Sequence, residues 1–538
     1  MTPEEREKRL LALEKRNAAP TSAGLEVPDH AQTIAVNSGT RKRKFQSAGD
    51  SVKPTKAQHV ERQIDSVVER EKRPVITGSL EHKKQSQEVI NIDSDEDDTT
   101  QGTAIQKYLN GILPLRRSRG QSNALRYWDG QVLLTTAAGY PVQPHHISIE
   151  RLFDRDNLRR AVLAAFQIDL EWVLSKLNIG RTAIHIACEA KTEGTKQQWQ
   201  RLATQLPKLN MIFPPMNHAN CMHSKLQLLF FDDFLRFVTP SANLMPYDWG
   251  ETGTMENVMY VQDFPLKKLI TGSDDTEDES ESDSVKTPTF LADLTCFLRR
   301  SKYPGQIIAD LEKYSFERAT HVRFVASVGG ENYAPHDIHK SGLPRLASAV
   351  QSLGWSLPAV EVEYITASIG ALNKSFVSSF MRACQGQPPF DKDQAERHDS
   401  LVRKLRIYFP TRETVLGSRA GHAGTICFQS DYYGRPEFPR GSLMSHIPVR
   451  PGLLSHCKMI LCRDVTDVTR GWAYVGSANF SASAWGDRIV RDRATKKDRM
   501  NCRNWECGVV VPMSLVRKVI PVQHTASKNT DPWYFMER

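Results

Sequence analysis

His223-Ser224-Lys225-Leu226-Gln227-Leu228-Leu229-Phe230, followed downstream by Ser241-Ala242-Asn243, is one of two near copies in this 538-residue chain. The other runs His456-Cys457-Lys458-Met459-Ile460-Leu461-Cys462 and leads to Ser477-Ala478-Asn479. The His-to-Asn separation is 20 residues in the first copy and 23 in the second. In each, the His-x-Lys opens an apolar run, and a second apolar run (235–238 and 472–475) precedes the Ser-Ala-Asn. This pattern predicts a strand, a turn, a second strand and a loop carrying the asparagine. One histidine per half suggests two-histidine chemistry on a single substrate.

The side chains suit phosphoryl transfer. A neutral imidazole can attack phosphorus, and a second, protonated one can give its proton to the leaving oxygen. Lysine and asparagine supply donors to the non-bridging oxygens, where charge must be held as the bond breaks. No carboxylate cluster accompanies the motifs, so neither a metal nor another cofactor is expected. A single His-x-Lys is a common surface tripeptide. Two copies with matched Ser-Ala-Asn and strand context are not.

Paired His-x-Lys with a downstream Asn resembles the phospholipase D superfamily. Most of that superfamily has an Asp five residues beyond the Lys, after four intervening residues. Here Phe230 and Arg463 occupy those places. An Asn further along in place of that Asp resembles the tyrosyl-DNA phosphodiesterase (type 1) branch. The flanks agree: Asn243-Leu244 leading to Asp248-Trp249, Asn479 leading to Ala484-Trp485-Gly486, and Trp505-Glu506-Cys507-Gly508-Val509. The resemblance spans roughly residues 120–538.

The net charge of +9 is unevenly distributed. Residues 1–104 hold 17 basic and 18 acidic side chains and a single aromatic, Phe45. Such a segment cannot bury enough apolar surface to offset the entropy of ordering, so it is expected to be a disordered regulatory tail. A second acidic stretch, 273–283, carries seven acids and no bases. It lies in a Ser-rich segment, 271–287, expected to be a disordered insertion. With the tail at −1 and this stretch at −7, the rest of the chain is left with +17, which favours a polyanionic partner. Nine cysteines at spacings unlike a zinc knuckle are expected to be reduced thiols in an intracellular compartment. No signal peptide opens the chain and no run of 18 apolar residues occurs, which argues against a membrane enzyme.

In the tail, Arg41-Lys42-Arg43-Lys44 suits nuclear import, and localisation in the nucleus is expected. Val89-Ile90-Asn91-Ile92 followed by Asp93-Ser94-Asp95-Glu96-Asp97-Asp98 can add as an edge strand to a partner sheet. Residues 89–98 resemble a SUMO-interacting motif, with Ser94 resembling an acidophilic kinase site. A charged linker is the plain alternative for both segments.

Beyond the tail, helices are expected at 157–177 (with Asp154 or Asp156 as N-cap), 290–311, 343–353 and 374–383. Strands are expected at 182–188, 209–213, 257–261, 322–326, 360–365, 405–409 and 505–511, besides those of the motifs. Alternating strands and helices imply two α/β layers. The resemblance implies two similar phospholipase D-like α/β domains, 105–311 and 312–538, about a pseudo-twofold axis, with one motif from each in a central cleft.

Spacing does not decide which histidine attacks. The resemblance implies that His223 is the nucleophile, forming a phosphohistidine with a DNA 3′ end. His456 would protonate the departing tyrosine and then activate water. Lys225, Lys458, Asn243 and Asn479 would clamp the phosphate. Glu506 resembles the family carboxylate that orients a catalytic histidine, and Glu256 resembles a Gln or Glu position of the family. Ser327 and Ser368, at strand-to-loop junctions, have donors suited to DNA phosphates, although plain turn residues would look the same. Ser241 and Ser477, within the motifs, join Glu256 as candidate substrate contacts. The expected partners are DNA 3′ ends, single-stranded DNA, a topoisomerase I-derived peptide and SUMO, acting on a monomer. The rival readings are a lipid phosphodiesterase and a non-catalytic DNA-end or SUMO-binding scaffold.

Overall fold

The computed structural model describes residues 125–267, 289–333, 337–390, 403–422, 424–524 and 527–535. The tail, the basic cluster 41–44, the motif 89–98 and the insertion 271–287 lie outside the described residues.

Two sheets form the body. The first holds β1 (Gln131–Thr135), β2 (Arg160–Ala164), β3 (Ala183–Ala187), β4 (Leu209–Ile212), β5 (Leu226–Phe230), β6 (Phe234–Pro240) and β7 (Val258–Pro265). The second holds β8 (Arg323–Ser327), β9 (Val360–Ile365), β10 (Leu405–Phe409), β11 (Leu443–Ser445), β12 (Met459–Asp464), β13 (Gly471–Gly476) and β14 (Asn504–Pro512). The strand orders are β1-β7-β6-β5-β2-β3-β4 and β8-β14-β13-β12-β9-β10-β11, with a two-residue strand, His146–Ile147, added outside β1. Every strand of the second sheet is the counterpart of the one seven places earlier. The pairing senses also agree: four antiparallel ladders, then two parallel ones. The repetition read from two short motifs therefore extends over seven strands.

The sheets pack face to face because their strands are apolar on both sides. In β5, Leu226, Leu228 and Phe230 enter a central core shared with Met459 and Leu461 of β12, Ala473 and Val475 of β13, and Cys507, Val509 and Val511 of β14. The alternate residues face outward: Leu229 toward the first half's outer core, and Ile460, Cys462, Trp472, Tyr474 and Val510 toward the second's. This period of two fixes the register of the motif strands, because a one-residue slip would exchange the two cores.

Two expected helices differ from the structure. Residues 157–177 are not a helix: β2 occupies Arg160–Ala164, and only Leu170–Ser175 is helical. The run Ala161-Val162-Leu163-Ala164 is buried throughout, as in a strand covered on both faces, and such a run has no period to separate it from a helix. Asp154 ends the preceding helix, Ile149–Phe153, with a left-handed φ of 44°, and Asp169 is the N-cap of the short helix that follows β2. The expected helix 290–311 is two, Thr289–Arg300 and Gly305–Leu311, broken around Pro304. Phe290, Leu294 and Phe297 of the first enter the central core.

Candidate active site

The motif histidines precede β5 and β12, and each is held by the opposite half. Before His223, Cys221–Met222 pairs in parallel with Asn504 and Trp505 of β14, and the His223 amide donates to the Trp505 carbonyl at 3.1 Å. Before His456, Leu454–Ser455 pairs in parallel with Met255–Glu256, and the His456 amide donates to the Glu256 carbonyl at 2.9 Å. This exchange of strands draws the two motifs to one place. Their electrostatics overlap accordingly: the Lys458 charge acts on His223 and the Lys225 charge on His456.

Each imidazole also meets a carboxylate of the other half. His223 Nδ1 lies 2.9 Å from Glu506 Oε2. The same oxygen accepts from Ser477 Oγ at 2.5 Å, and Glu506 Oε1 accepts from Asn504 Nδ2 at 2.9 Å. His456 Nδ1 lies 2.9 Å from Asp248 Oδ1. Asp248 is itself fixed by the Asn243 amide at 2.9 Å and the Asn257 side chain at 2.9 Å. Just beyond it, Gly250 turns with φ +76°, where a side chain would run into the Thr136 carbonyl. With Nδ1 engaged, Nε2 is the ring nitrogen left for chemistry in both histidines.

The two halves differ in where the carboxylate sits. Ser241 Oγ donates to Asn257 Oδ1 at 2.7 Å, as Ser477 Oγ does to Glu506, so Asn257 is the first-half counterpart of Glu506. Five residues beyond the motif asparagine stands Asp248 in one half and Ala484 in the other. Each histidine thus keeps one carboxylate, supplied from non-equivalent positions.

Burial sets the charge states. It lowers the His223 pKa, against Glu506, and lowers His456 to about 4, with Lys458 adding to the effect and Asp248 opposing it. Burial alone would raise Asp248, but His456, Lys458 and the Asn257 amide outweigh it and hold the carboxyl low. Lys225 and Lys458 are both fully buried. Each ammonium donates to the carbonyl of its own motif histidine, Lys225 at 2.9 Å and Lys458 at 2.6 Å. Neither forms an ion pair with a carboxylate among the described residues, and burial drives both pKa values down. Asn243 Oδ1 accepts from the Gln167 amide at 3.3 Å and Asn479 Oδ1 from Thr366 Oγ1 at 3.2 Å, which fixes the two amides with their oxygens engaged and leaves the nitrogens as the donors for a substrate. Phe166 flanks the site, its ring 5.6 Å from the His223 ring.

The other sequence candidates are placed differently. Ser241 and Ser477 are fully buried, with hydroxyls committed to Asn257 and Glu506, so they position the site rather than touch substrate. Glu256 is buried in an ion pair with Arg450 (2.7 Å), and its contribution to the site is its backbone carbonyl. Ser327 is 1% exposed and does not present its hydroxyl to solvent. Ser368 is 8% exposed, in a bridge with Cys427 next to the Thr366 hydroxyl that holds Asn479. Asp248, Asn257, Gln167 and Thr366 had no functional signal in the sequence. Asp248 stood out only as part of a flank.

A duplicated α/β fold whose halves each give a histidine, a buried lysine and an asparagine to one anion-ready site defines a two-histidine phosphodiesterase of the phospholipase D superfamily. The tyrosyl-DNA phosphodiesterase family matches over residues 131–534, and the chain belongs to that family, a family of DNA-repair phosphodiesterases. Comparison with curated protein sequences gives no match. Among solved structures, the chain is similar to the yeast tyrosyl-DNA phosphodiesterase, with 20% identity over 71% of this chain and 89% of that one, and a TM-score of 0.52. Two variants of the yeast protein, each altered at a histidine, match equally at TM-score 0.52. One has 20% and the other 21% identity, each over 71% of this chain and 89% of that one.

Proposed function

We propose that the protein hydrolyses 3′-phosphotyrosyl bonds between DNA and a topoisomerase-derived peptide, and other 3′ blocks, through a covalent phosphohistidine, leaving a 3′-phosphate. The observation that carries this reading is the pair of buried lysines without carboxylate partners beside two carboxylate-oriented histidines. The charges of Glu506 and Asp248 act on the lysines without a direct ion pair, burial still outweighs them, and a phosphate between Lys225 and Lys458 would supply a direct partner.

His223 Nε2 attacks phosphorus, forming the P–N bond as the P–O bond to tyrosine breaks. Glu506 holds Nδ1 and stabilises the imidazolium that develops. His456 gives its Nε2 proton to the tyrosine oxygen. Now neutral, it takes a proton from water, and the hydroxyl displaces His223 from phosphorus. Lys225, Lys458 and the amides of Asn243 and Asn479 bind the non-bridging oxygens throughout. The His223 side chain is 13% exposed against 5% for His456, which suits the group that must reach the substrate's phosphorus. Two lysines provide the charge that a divalent metal gives other phosphodiesterases, so we infer turnover without one.

Single-stranded 3′ ends in the nucleus are the expected setting, with import through 41–44 and SUMO recruitment through 89–98. These rest on sequence pattern alone. The activity test is incubation with a single strand carrying a 3′-phosphotyrosine in the presence of EDTA. A 3′-phosphate product is expected. No product, or activity restored only by a divalent ion, would overturn the reading.

A further inference from the structure

The strand that carries Glu506 is preceded by a second, smaller piece of sheet. Gly330–Tyr333, Asp498–Cys502 and Ile489–Arg491 form three antiparallel strands, with Ile489–Arg491 exposed at the edge. Ile489–Arg491 and Asp498–Cys502 make a hairpin whose tip is tightly built. Asp492 Oδ1 accepts from the Thr495 amide (2.7 Å) and hydroxyl (2.7 Å), the Asp492 amide donates to the Lys497 carbonyl at 2.8 Å, and Lys496 turns with φ +57°. From Asp487 to Arg499 the chain holds six Lys or Arg and three Asp. Two of the bases are neutralised: Arg491 pairs with Asp498 at 3.3 Å, and Arg499 with Glu331 and with Asp492 at 3.1 Å. The other four, Arg488, Arg493, Lys496 and Lys497, are exposed and meet no carboxylate among the described residues.

We propose that this hairpin is a second nucleic-acid contact, gripping the phosphate backbone away from the scissile bond. The inference rests on the function proposed above and adds to it where the rest of the substrate strand lies. Uncompensated bases on an ordered prong suit a repeating polyanion, since little conformational freedom is lost on binding. Exposed Ile489 and Val490 on the edge strand would suit a peptide, but Arg493, Lys496 and Lys497 stand beyond them at the tip, where the exposed side chains offer mainly charge. The location also fits. Asp498–Cys502 leads through Arg503 into β14, so Asp498 lies within eight residues of Glu506. At about 3.3 Å per residue the hairpin base is at most about 26 Å from the site. The tip is at most about 10 Å further. At about 3.4 Å per nucleotide of a stacked strand, the contact falls within roughly ten nucleotides of the 3′ end.

The test replaces Arg488, Arg493, Lys496 and Lys497 together with Ser in the full-length protein. Two substrates are compared: a nitrophenyl ester of thymidine 3′-phosphate, and 3′-phosphotyrosyl oligonucleotides of 4 to about 20 nucleotides. Turnover of the small ester should be unchanged, showing an intact site. On the long oligonucleotides KM should rise and the slope of log KM against log salt should fall by up to about 3, from about 0.7 per phosphate contact over four contacts. The effect should vanish for strands too short to reach. An unchanged KM and salt slope on the long strands would overturn the proposal and leave the prong free for a protein partner. Loss of the effect's length dependence would overturn its placement. If the unaltered protein itself fails on the small ester, the fault lies with the proposed function and not with the hairpin.

Discussion

His456 is the sharpest test of how the site uses charge. In the free protein its pKa is held at about 4, by burial first and by Lys458 next, so at neutral pH it carries no proton on the nitrogen that must act as acid. Raising it to about 7 requires roughly three units, or about 4 kcal/mol. One negative charge placed about 4 Å away, at an effective dielectric near 20, supplies about 4 kcal/mol. Filling the lysine clamp with an anion should therefore arm the acid, and protonation should be coupled to binding. Sulfate is a suitable probe because its charge is constant across the range. Carbon-13 labelled histidine can be followed by NMR, with the His456 resonance assigned from its loss in His456→Asn. The resonance should titrate near 4 in the free protein and at least about three units higher at saturating sulfate. Calorimetry at pH 6 in buffers of different ionisation enthalpy should show net proton uptake on binding. If His456 still titrates near 4 with the anion bound, and no proton is taken up, it is not the acid at neutral pH and the assignment of roles is wrong.

Three further outcomes are expected. Glu506→Gln should fold, because Asn504 can turn its buried Oδ1, which has no partner, toward the new amide. It should still slow formation of the covalent intermediate on the order of 10²-fold, and comparison of single-turnover rates with circular dichroism separates the two effects. Deletion of residues 1–104 should leave turnover of a short oligonucleotide within about threefold, read as kcat/KM with RT-scale effects only. Changing Val89, Ile90 and Ile92 to Ala should abolish SUMO binding by a labelled 89–98 peptide, and phosphorylation of Ser94 should tighten it, while phosphodiesterase activity is spared.

Where a residue's role comes from its own strand, the sequence displayed it. The motif strands are short apolar runs bounded by a His-x-Lys and an asparagine loop, so those boundaries and the downstream asparagines could be read directly, and Val360–Ile365 and Leu405–Phe409 fall on their expected bounds. Arg160–Ala164 could not be read, since it is buried on both faces like the motif strands but has no motif residues to mark its ends. The same limit applies to the site. Glu506 was legible through the resemblance of its flank in β14, but both it and Asp248 meet their histidines only because strands cross between the halves. Ser241 and Ser477 show the converse: they stand inside the motifs, yet their hydroxyls are spent on Asn257 and Glu506. Short-range pattern shows which residues are present. It does not show which of them face the substrate and which face one another.

The central claim is that His223 is the nucleophile and His456 the acid and base, and trapping tests it directly. His456→Ala and His223→Ala are each mixed with a 3′-phosphotyrosyl oligonucleotide, quenched under denaturing conditions and mapped by mass spectrometry. His456→Ala should accumulate a DNA–protein adduct carried on His223, because the bond forms but water is not activated to break it. His223→Ala should give neither adduct nor product. An adduct on His456 in the His223→Ala protein, or turnover without His223, would contradict the account.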